Sequence, residues 1–267
     1  MKAVFIDIDG TLLPFGHNAI PESACKAIMQ CRQKGNKVYI NTGRCRTEVL
    51  DSITKLGFDG IICSNAMYIE ENGIVLHNEY LEANLVHRVA DWLTAEEIGF
   101  FFEGQTKICA SPLYFPQMKK RVGEEKVQHL EKAFPGIQER RLDYTEIAKI
   151  NFIPKADSCA RARKEFGAKL QINEWSFIGN EAGMGEITLP GADKTNGVRF
   201  MLERTGILKE DSFAFGDSDG DLGMVKFCGT GIAMGNATEN LKQNADFITD
   251  DVCENGLYKA FEHFSLL

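Results

Sequence analysis

The sequence predicts an α/β protein in which a parallel sheet carries an inserted α+β unit. Three observations predict this. Residues 3 to 63 run in strand–helix–strand–helix–strand order, the rhythm of parallel strands joined by right-handed crossovers. Between about residues 83 and 189 hairpin and helix patterns mix instead. The parallel-sheet rhythm returns after Asp193. The expected organisation is a first core segment at 1–82, an inserted unit at 83–189 and a second core segment at 190–267.

The elements follow in order. Ala3 to Ile6 is a short, continuous apolar run, the pattern of a buried strand. Pro21 opens a helix whose apolar face is Ala24, Ala27, Ile28 and Cys31, and Gly35 ends it. Lys37 to Ile40 reads as the second strand. A helix over roughly 45–56 follows, with Val49, Ile53 and Leu56 inward and Gly57 as its stop. Gly60 to Cys63 is a third apolar strand. Asn72-Gly73 between Met67–Ile69 and Ile74–Leu76 signals a hairpin.

In the insert, a helix over about 85–94 precedes strands at Phe100–Phe102 and Lys107–Ala110. A polar helical pattern then runs from Pro116 to Phe134. Ala148 to Ile153 is a strand, and Asp157 caps a helix carrying Ala160, Ala162 and Phe166. Trp175–Ile178 and Met184–Leu189 close the unit as strands. Afterwards come a helix from Lys194, a strand at Ser212–Phe215, a short helix from Leu222 and a strand at Gly231–Met234. A helix at Thr238–Asn244, a strand at Phe247-Ile248 and a helix from Leu257 to Phe264 complete the chain.

Composition narrows the function. A formal charge of -8 on 267 residues leaves no basic excess for general nucleic-acid binding. No apolar run reaches membrane-spanning length. Asp7 and Asp9 interrupt the only apolar stretch near the start, which does not fit a signal peptide, so a cytoplasmic location is the default expectation. The eight cysteines are scattered without a CxxC pair or zinc-site spacing and read as reduced, mostly buried thiols. No protein partner is inferable.

The chemistry concentrates in four loops. Asp7 and Asp9 end the first strand, and residues two apart on a strand project the same way. Two close carboxylates repel unless a proton or cation compensates. Asp9-Gly10 is also a common turn dipeptide, so this pair alone leaves a structural reading open. Thr42-Gly43-Arg44 end the second strand, Lys194 opens the helix after the insert, and Asp217 and Asp221 follow a later strand. Ligands of open α/β sheets bind beyond the carboxyl ends of the strands, where one crevice receives all four loops. Magnesium prefers oxygen ligands in near-octahedral geometry. Asp7 and Asp217 offer carboxylates and Asp9 a carbonyl. Lys194 is suited to Asp7 and phosphoryl oxygens. The Thr42 hydroxyl and the backbone near Asp9, Gly10 and Gly43 are suited to a transferring phosphoryl group. Arg44 either touches phosphate or pairs with an acidic residue at the rim.

With DIDGT, Thr42-Gly43-Arg44, Lys194 and GDSDGD in this order across essentially the whole chain, the sequence resembles the haloacid-dehalogenase-like (HAD) phosphatases. The resemblance is to the Cof-type, subclass IIB group, whose large cap is inserted between the second and third motifs. It implies a Rossmann-like parallel-sheet core with an inserted α+β cap, a Mg2+ cofactor, and a small phosphorylated metabolite, of the sugar phosphate kind, as substrate. It implies that Asp7 attacks phosphorus and that Asp9 serves as acid and then base. Lys194 stabilises charge, and Asp7, Asp9, Asp217 and Asp221 serve the metal. In the cap, Asn180, Glu181, Met184 and Glu186 are the implied specificity candidates, with a plain hairpin turn as the alternative reading.

Three departures stand out. Gly220 occupies a position where the fourth motif usually has Asn. The third motif, commonly Lys-Gly, reads Lys194-Thr195-Asn196-Gly197. The usual Asn-Gly-Ala after the third strand is Asn65-Ala66-Met67. A phosphomutase of the same superfamily and a phospholigand-binding regulatory protein with weak catalysis are the competing functions.

Overall fold

A computed structural model of the protein describes residues 1–17, 19–133, 137–139, 142–177 and 182–267. The chain divides into two units. The first comprises Met1–Arg44, Val49–Asn78 and Asp193–Leu267, and the second Cys45–Glu48 and Glu79–Ala192.

The first unit contains β1 (Ala3–Ile6), α1 (Glu22–Gln33), β2 (Lys37–Asn41), α2 (Asp51–Thr54), β3 (Gly60–Cys63), β4 (Tyr68–Glu71) and β5 (Ile74–Asn78). Within the second lie α3 (Ala83–Ala95), β6 (Phe100–Glu103), β7 (Ile108–Ala110), α4 (Tyr114–Val122), α5 (Glu124–Ala133), β8 (Ile137–Glu139), β9 (Lys149–Phe152), α6 (Ser158–Phe166), β10 (Gln171–Phe177) and β11 (Ala182–Thr188). The first unit resumes with α7 (Lys194–Thr205), β12 (Ser212–Gly216), α8 (Leu222–Phe227), β13 (Thr230–Ala233), α9 (Glu239–Asn244), β14 (Phe247–Ile248) and α10 (Gly256–His263).

Among the described residues, the first unit forms one sheet in the order β14-β13-β12-β1-β2-β3-β4-β5. The strands from β14 to β3 are parallel, and the β4–β5 hairpin is antiparallel. β1 lies inside this sheet, between β12 and β2. Every residue of β1 is buried because both of its faces are covered. Val4 and Ile6 join a cluster with Ala24, Ile28, Leu257 and Phe261, on the side of α1 and α10. Ala3 and Phe5 join Val198, Met201, Met224 and Leu241, on the side of α7, α8 and α9. Alternation along one strand thus feeds two hydrophobic layers, the doubly wound arrangement expected of a parallel sheet. Because β1, β2, β3 and β12 run parallel, their carboxyl ends share one edge. Asp7, Thr42, Ser64 and Asp217 each follow immediately after one of these strands.

The second unit has a sheet in the order β10-β11-β9-β6-β7-β8. One face packs Phe100, Phe102, Ile150, Phe152 and Ile187 against Leu85, Val89 and Leu93 of α3 and Ala162 and Phe166 of α6.

Several elements differ from the sequence expectation. The helix anticipated over 45–56 is a 3₁₀ turn at Arg46–Glu48 followed by the four-residue α2. Its first residue, Cys45, is buried with Phe101, Ile108 and Tyr114 in the second unit, so the segment leaves the helical path. The long polar helix from Pro116 is broken into α4 and α5 at Gly123, whose φ of 88° lies in the left-handed region. Asp157 precedes α6 but makes no capping bond. Its carboxylate pairs with Arg161, while the Ser158 hydroxyl accepts from the Lys155 amide. Thr238 does cap α9, accepting from the Leu241 amide. All eight cysteines are free thiols, with Cys253 exposed and Cys25 half-buried.

Asp59, just before β3, ties the sheet to α1. Its buried carboxylate accepts from the Val38 amide at 3.0 Å, Arg32 Nε at 3.0 Å and Lys37 Nζ at 3.1 Å. Burial pushes its pKa up, but the donors from Arg32, Val38 and Lys37 outweigh burial and hold it below the usual carboxylate value. A depressed folded-state pKa contributes stability above the unfolded pKa of about 3.9, lost as pH falls through the folded value. Asp59→Asn is therefore expected to cost about 1–2 kcal/mol in urea unfolding at pH 7, with Arg32 and Lys37 partly solvent-screened. The gap from wild type should narrow as pH falls below about 4; an unchanged gap at acid pH contradicts the assignment.

Candidate active site

The end of β1 builds the first wall. The Asp7 amide donates to the Phe215 carbonyl of β12, and the Asp7 carbonyl accepts from Leu12, so this residue is fixed on both sides. Gly10 closes the turn with φ +76°. A Cβ at Gly10 would lie 2.3 Å from Asp217 Oδ2, so both the conformation and the close approach demand glycine. The Gly10 carbonyl accepts from Asn236 Nδ2 at 2.8 Å.

Lys194, the first residue of α7, supplies the cation. Asp193 caps this helix by accepting from the Thr195 amide. Asn41 Nδ2 donates to the Lys194 carbonyl at 2.9 Å. The ammonium lies 2.6 Å from Asp7 Oδ1 and 2.6 Å from Asp221 Oδ1. Asp221 is fully buried, and its Oδ2 accepts from the Asp217 and Ser218 amides and from the Ser218 hydroxyl. Asp217 accepts from the Thr11 hydroxyl at 3.2 Å.

Asp9 has a different environment. Arg44 grips it through two bonds, Nε to Oδ2 at 2.8 Å and an Nη to Oδ1 at 2.6 Å. Of the two roles open to Arg44 from sequence, this conformation has the acidic pairing. Thr42 is buried, and its hydroxyl accepts from the Arg44 amide at 3.1 Å. Beside this loop, Ser64, Asn65 and Ala66 have φ values of 50°, 53° and 74°, three successive left-handed residues without a glycine. The Ser64 and Asn65 amides donate to the carbonyls of Arg44 and Thr42, which holds the loop in place. The side chain of Asn65 reaches to 3.4 Å from where a Gly43 Cβ would stand.

Charge balance decides what the site can hold. Ligand oxygens of Asp7, Asp217 and Asp221 lie within 4.8 Å of one another. Burial, then Asp221, push Asp7 up to about 7 against the opposing pull of Lys194. Burial, then Asp7 and Asp221, push Asp217 up to about 8. For Lys194, burial works against the charge, but Asp221 and Asp7 outweigh it and raise the pKa. Three carboxylates therefore share one ammonium, and the excess is relieved by protons or by a cation. An all-oxygen donor set suits a hard divalent ion. The Asp221 oxygens are already engaged, which leaves Asp7 and Asp217 as the carboxylates with capacity to spare.

The structure thus brings Asp7, Asp217, Asp221 and Lys194 together, and joins Asp9 to Arg44. It adds groups that the motifs did not single out: Thr11, Asn41, Ser218 and Asn236. Thr11 and Ser218 sit inside recognised loops and were legible as hydroxyls beside acids. Asn236 follows a strand that carries no motif, so only the fold reveals its contact. In the second unit, Met184 is buried among Phe101, Ile153 and Tyr114, and Glu186 is buried 3.5 Å from Lys149. Asn180 and Glu181 lie outside the described residues.

The family model for haloacid dehalogenase-like hydrolases matches residues 4–261. The chain belongs to that family. The 5-amino-6-(5-phospho-D-ribitylamino)uracil phosphatase YcsE of Bacillus subtilis is 29% identical, over all of this chain and 96% of the relative. Phosphatase YwpJ of the same organism is 25% identical, over 98% of this chain and 99% of the relative. The solved HAD subclass IIB sugar phosphatase BT4131 shares the fold with a TM-score of 0.82 at 24% identity, covering both chains completely.

Two outcomes are expected in this hydrolase. Lys194→Met leaves Asp7 and Asp221 buried without their cation and should cost about 3–5 kcal/mol in denaturant unfolding. Because Asp7 and Asp217 hold protons near neutral pH without an ion, divalent binding must displace them. A divalent ion should therefore raise the melting temperature more at pH 8 than at pH 6, with proton release in calorimetry; a pH-independent shift counts against the Asp7–Asp217 pair.

Proposed function

We propose that this enzyme hydrolyses the phosphate ester of a small sugar or sugar-alcohol metabolite, with magnesium, through an aspartyl-phosphate on Asp7. Its class, phosphoric monoester hydrolase, follows from the family and from relatives named as phosphatases. The observation that carries the finer reading is the unequal partnering of the two aspartates. Asp7 is held by Lys194 inside the acidic cluster, whereas Asp9 is held by Arg44 outside it. The sugar-type substrate is supported by the motif resemblance and by YcsE, whose name specifies a phosphorylated ribityl chain.

The residues divide the work as follows. Lys194 fixes Asp7 Oδ1 and so sets the rotation of the nucleophilic carboxylate. An Asp7 oxygen forms a bond to phosphorus while the bond from phosphorus to the ester oxygen breaks. Asp9 gives its proton to that departing oxygen. A water then attacks phosphorus, Asp9 takes the water's proton, and the Asp7–phosphorus bond breaks to release phosphate. Asp9 performs this exchange only after one of its oxygens leaves Arg44. Asp221 positions Lys194 and the Asp217 loop. Thr42, Gly43 and the Gly10 turn line the phosphoryl position. Magnesium held by Asp7, Asp217 and the Asp9 carbonyl would neutralise phosphoryl oxygens and offset the acidic excess.

A magnesium-dependent phosphate-release assay over phosphorylated metabolites tests this reading. Asp7→Asn should lower turnover roughly a thousandfold or more, and chelation should abolish wild-type activity. Equal turnover by Asp7→Asn removes the nucleophile assignment. Isomer formation without net phosphate release, in the presence of a bisphosphate, identifies a mutase instead.

A further inference from the structure

The loop that follows β13 carries none of the motifs, yet it bonds to both loops that build the acidic cluster of the first unit. The Met234 amide donates to the Gly216 carbonyl at the end of β12, so the loop starts beside Asp217. Gly235 seats it on the neighbouring segment: its amide donates to the Asp250 carbonyl at 3.0 Å, and a Cβ there would lie 2.5 Å from the Asp251 nitrogen. The Thr238 amide then donates to the Asp217 carbonyl at 2.9 Å. Between Gly235 and Thr238 stands Asn236, which is half-buried. Its Nδ2 donates to the Gly10 carbonyl at 2.8 Å, and its Oδ1 accepts from the Val252 amide at 3.0 Å.

These bonds close a circuit. The Asp217 carbonyl is held by Thr238, two residues on from Asn236. Asn236 holds the Gly10 carbonyl, which belongs to the Gly10–Thr11 peptide. The Thr11 hydroxyl returns to Asp217 Oδ1 at 3.2 Å. The second carboxylate oxygen, Asp217 Oδ2, lies 2.3 Å from where a Gly10 Cβ would stand. Both oxygens of Asp217 thus rest against Gly10-Thr11, so the position of that peptide sets the rotation of the carboxylate. The Gly10 amide bonds inside its own turn, to the Leu13 carbonyl, whereas Asn236 ties the turn to a separate part of the core. The two partners of Asn236 demand different atoms: the Gly10 carbonyl needs a donor and the Val252 amide an acceptor. One planar carboxamide supplies both. Asp219, exposed and outside the acidic cluster, faces this same loop: it accepts from the Thr238 hydroxyl at 2.7 Å and from Asn240 Nδ2 at 3.2 Å.

We propose that Asn236 is a positioning residue for the divalent ion. Acting through the Gly10–Thr11 peptide, it fixes the Asp217 carboxylate in the orientation that receives the cation. This rests on the reading of Asp7 and Asp217 as the metal carboxylates, and it adds a determinant from outside the four motif loops. Without the Asn236 donor, the Gly10–Thr11 peptide shifts and Asp217 loses its set rotation. The cation then loses affinity, while the fold loses only partly buried bonds.

Magnesium chloride titrated calorimetrically into the full chain at pH 8 tests this. Asn236→Asp keeps an acceptor for Val252 but offers Gly10 no donor, and its added negative charge by itself favours a cation. Weaker binding by this variant therefore reports position, not charge. Asn236→Leu removes both bonds at similar volume. Both variants should unfold cooperatively and bind magnesium roughly tenfold more weakly than wild type. Asp246→Ala, which removes a bond from the Gly231 amide at the opposite end of β13, should lower stability and leave magnesium affinity unchanged. Wild-type affinity in folded Asn236→Leu overturns the proposal. An equal loss of affinity in Asp246→Ala also overturns it, by making the effect one of general stability. Asp217→Asn separates the proposal from the reading beneath it. Wild-type affinity in that variant, or no binding by wild type, overturns the metal assignment and the proposal together. Lost affinity in Asp217→Asn with wild-type affinity in both Asn236 variants overturns the proposal alone.

Discussion

One ammonium group holds the buried carboxylates of the first unit in place. Lys194 Nζ meets Asp7 and Asp221 at 2.6 Å each, in a site that is nearly closed to solvent. A buried pair of this kind is unstable if either side is removed alone, because the remaining charge has no water to shield it. Much of the surrounding structure serves to put that ammonium there. Asp193 starts α7 at the right residue, Asn41 holds the Lys194 carbonyl, and Gly197 lets the helix approach the sheet. A Cβ at Gly197 would come within 2.5 Å of Ile62 on β3. The displacement of glycine from its usual place beside the lysine is therefore a packing solution, not a loss.

The two units present the same arithmetic with different chemistry. In the first unit Asp7, Asp217 and Asp221 are buried around Lys194, and in the second Glu103 and Glu186 are buried around Lys149, with Glu48 half-buried beside Glu103. In the first unit the acids stand on short side chains at strand ends, and their oxygens converge on one point. That convergence suits a divalent ion. In the second unit the acids stand on longer side chains along strands and beside a helical turn, with an amide and a hydroxyl between them. Part of the chain's negative formal charge is thus gathered in two local clusters.

The core was legible because its code is local. A four-residue apolar run specified β1, and β12 likewise announced itself, since central parallel strands are apolar on both faces. The acidic, glycine and lysine motifs marked the loops at the strand ends. Less legible were features set by distant packing. Residues 45–56 have a helical pattern, yet Cys45 is buried against Phe101 and Tyr114, so Cys45–Glu48 belong to the second unit and only the rest to the first. Gly123 splitting a long helix was visible as a residue but not as a φ of 88°. The Arg44–Asp9 grip and the Asn236 contact to Gly10 join residues far apart in sequence, and nothing in local periodicity encodes either. The polar face of the second sheet was hidden because Lys149 and Glu103 read as strand ends, where charge is ordinary.

The affiliation of Cys45–Glu48 with the second unit also bears on how members of such a family exchange parts. The chain passes between units at 44/45, 48/49, 78/79 and 192/193. A recombination event that grafted residues 79–192 onto another core would carry Glu103, Lys149, Glu186 and Thr188 but leave Glu48 and Cys45 behind. The transplanted face would inherit whatever four residues the recipient had after its own Thr-Gly-Arg loop. The acidic cluster of the second unit is therefore drawn from two separate chain segments, and a graft of one alone would not carry it.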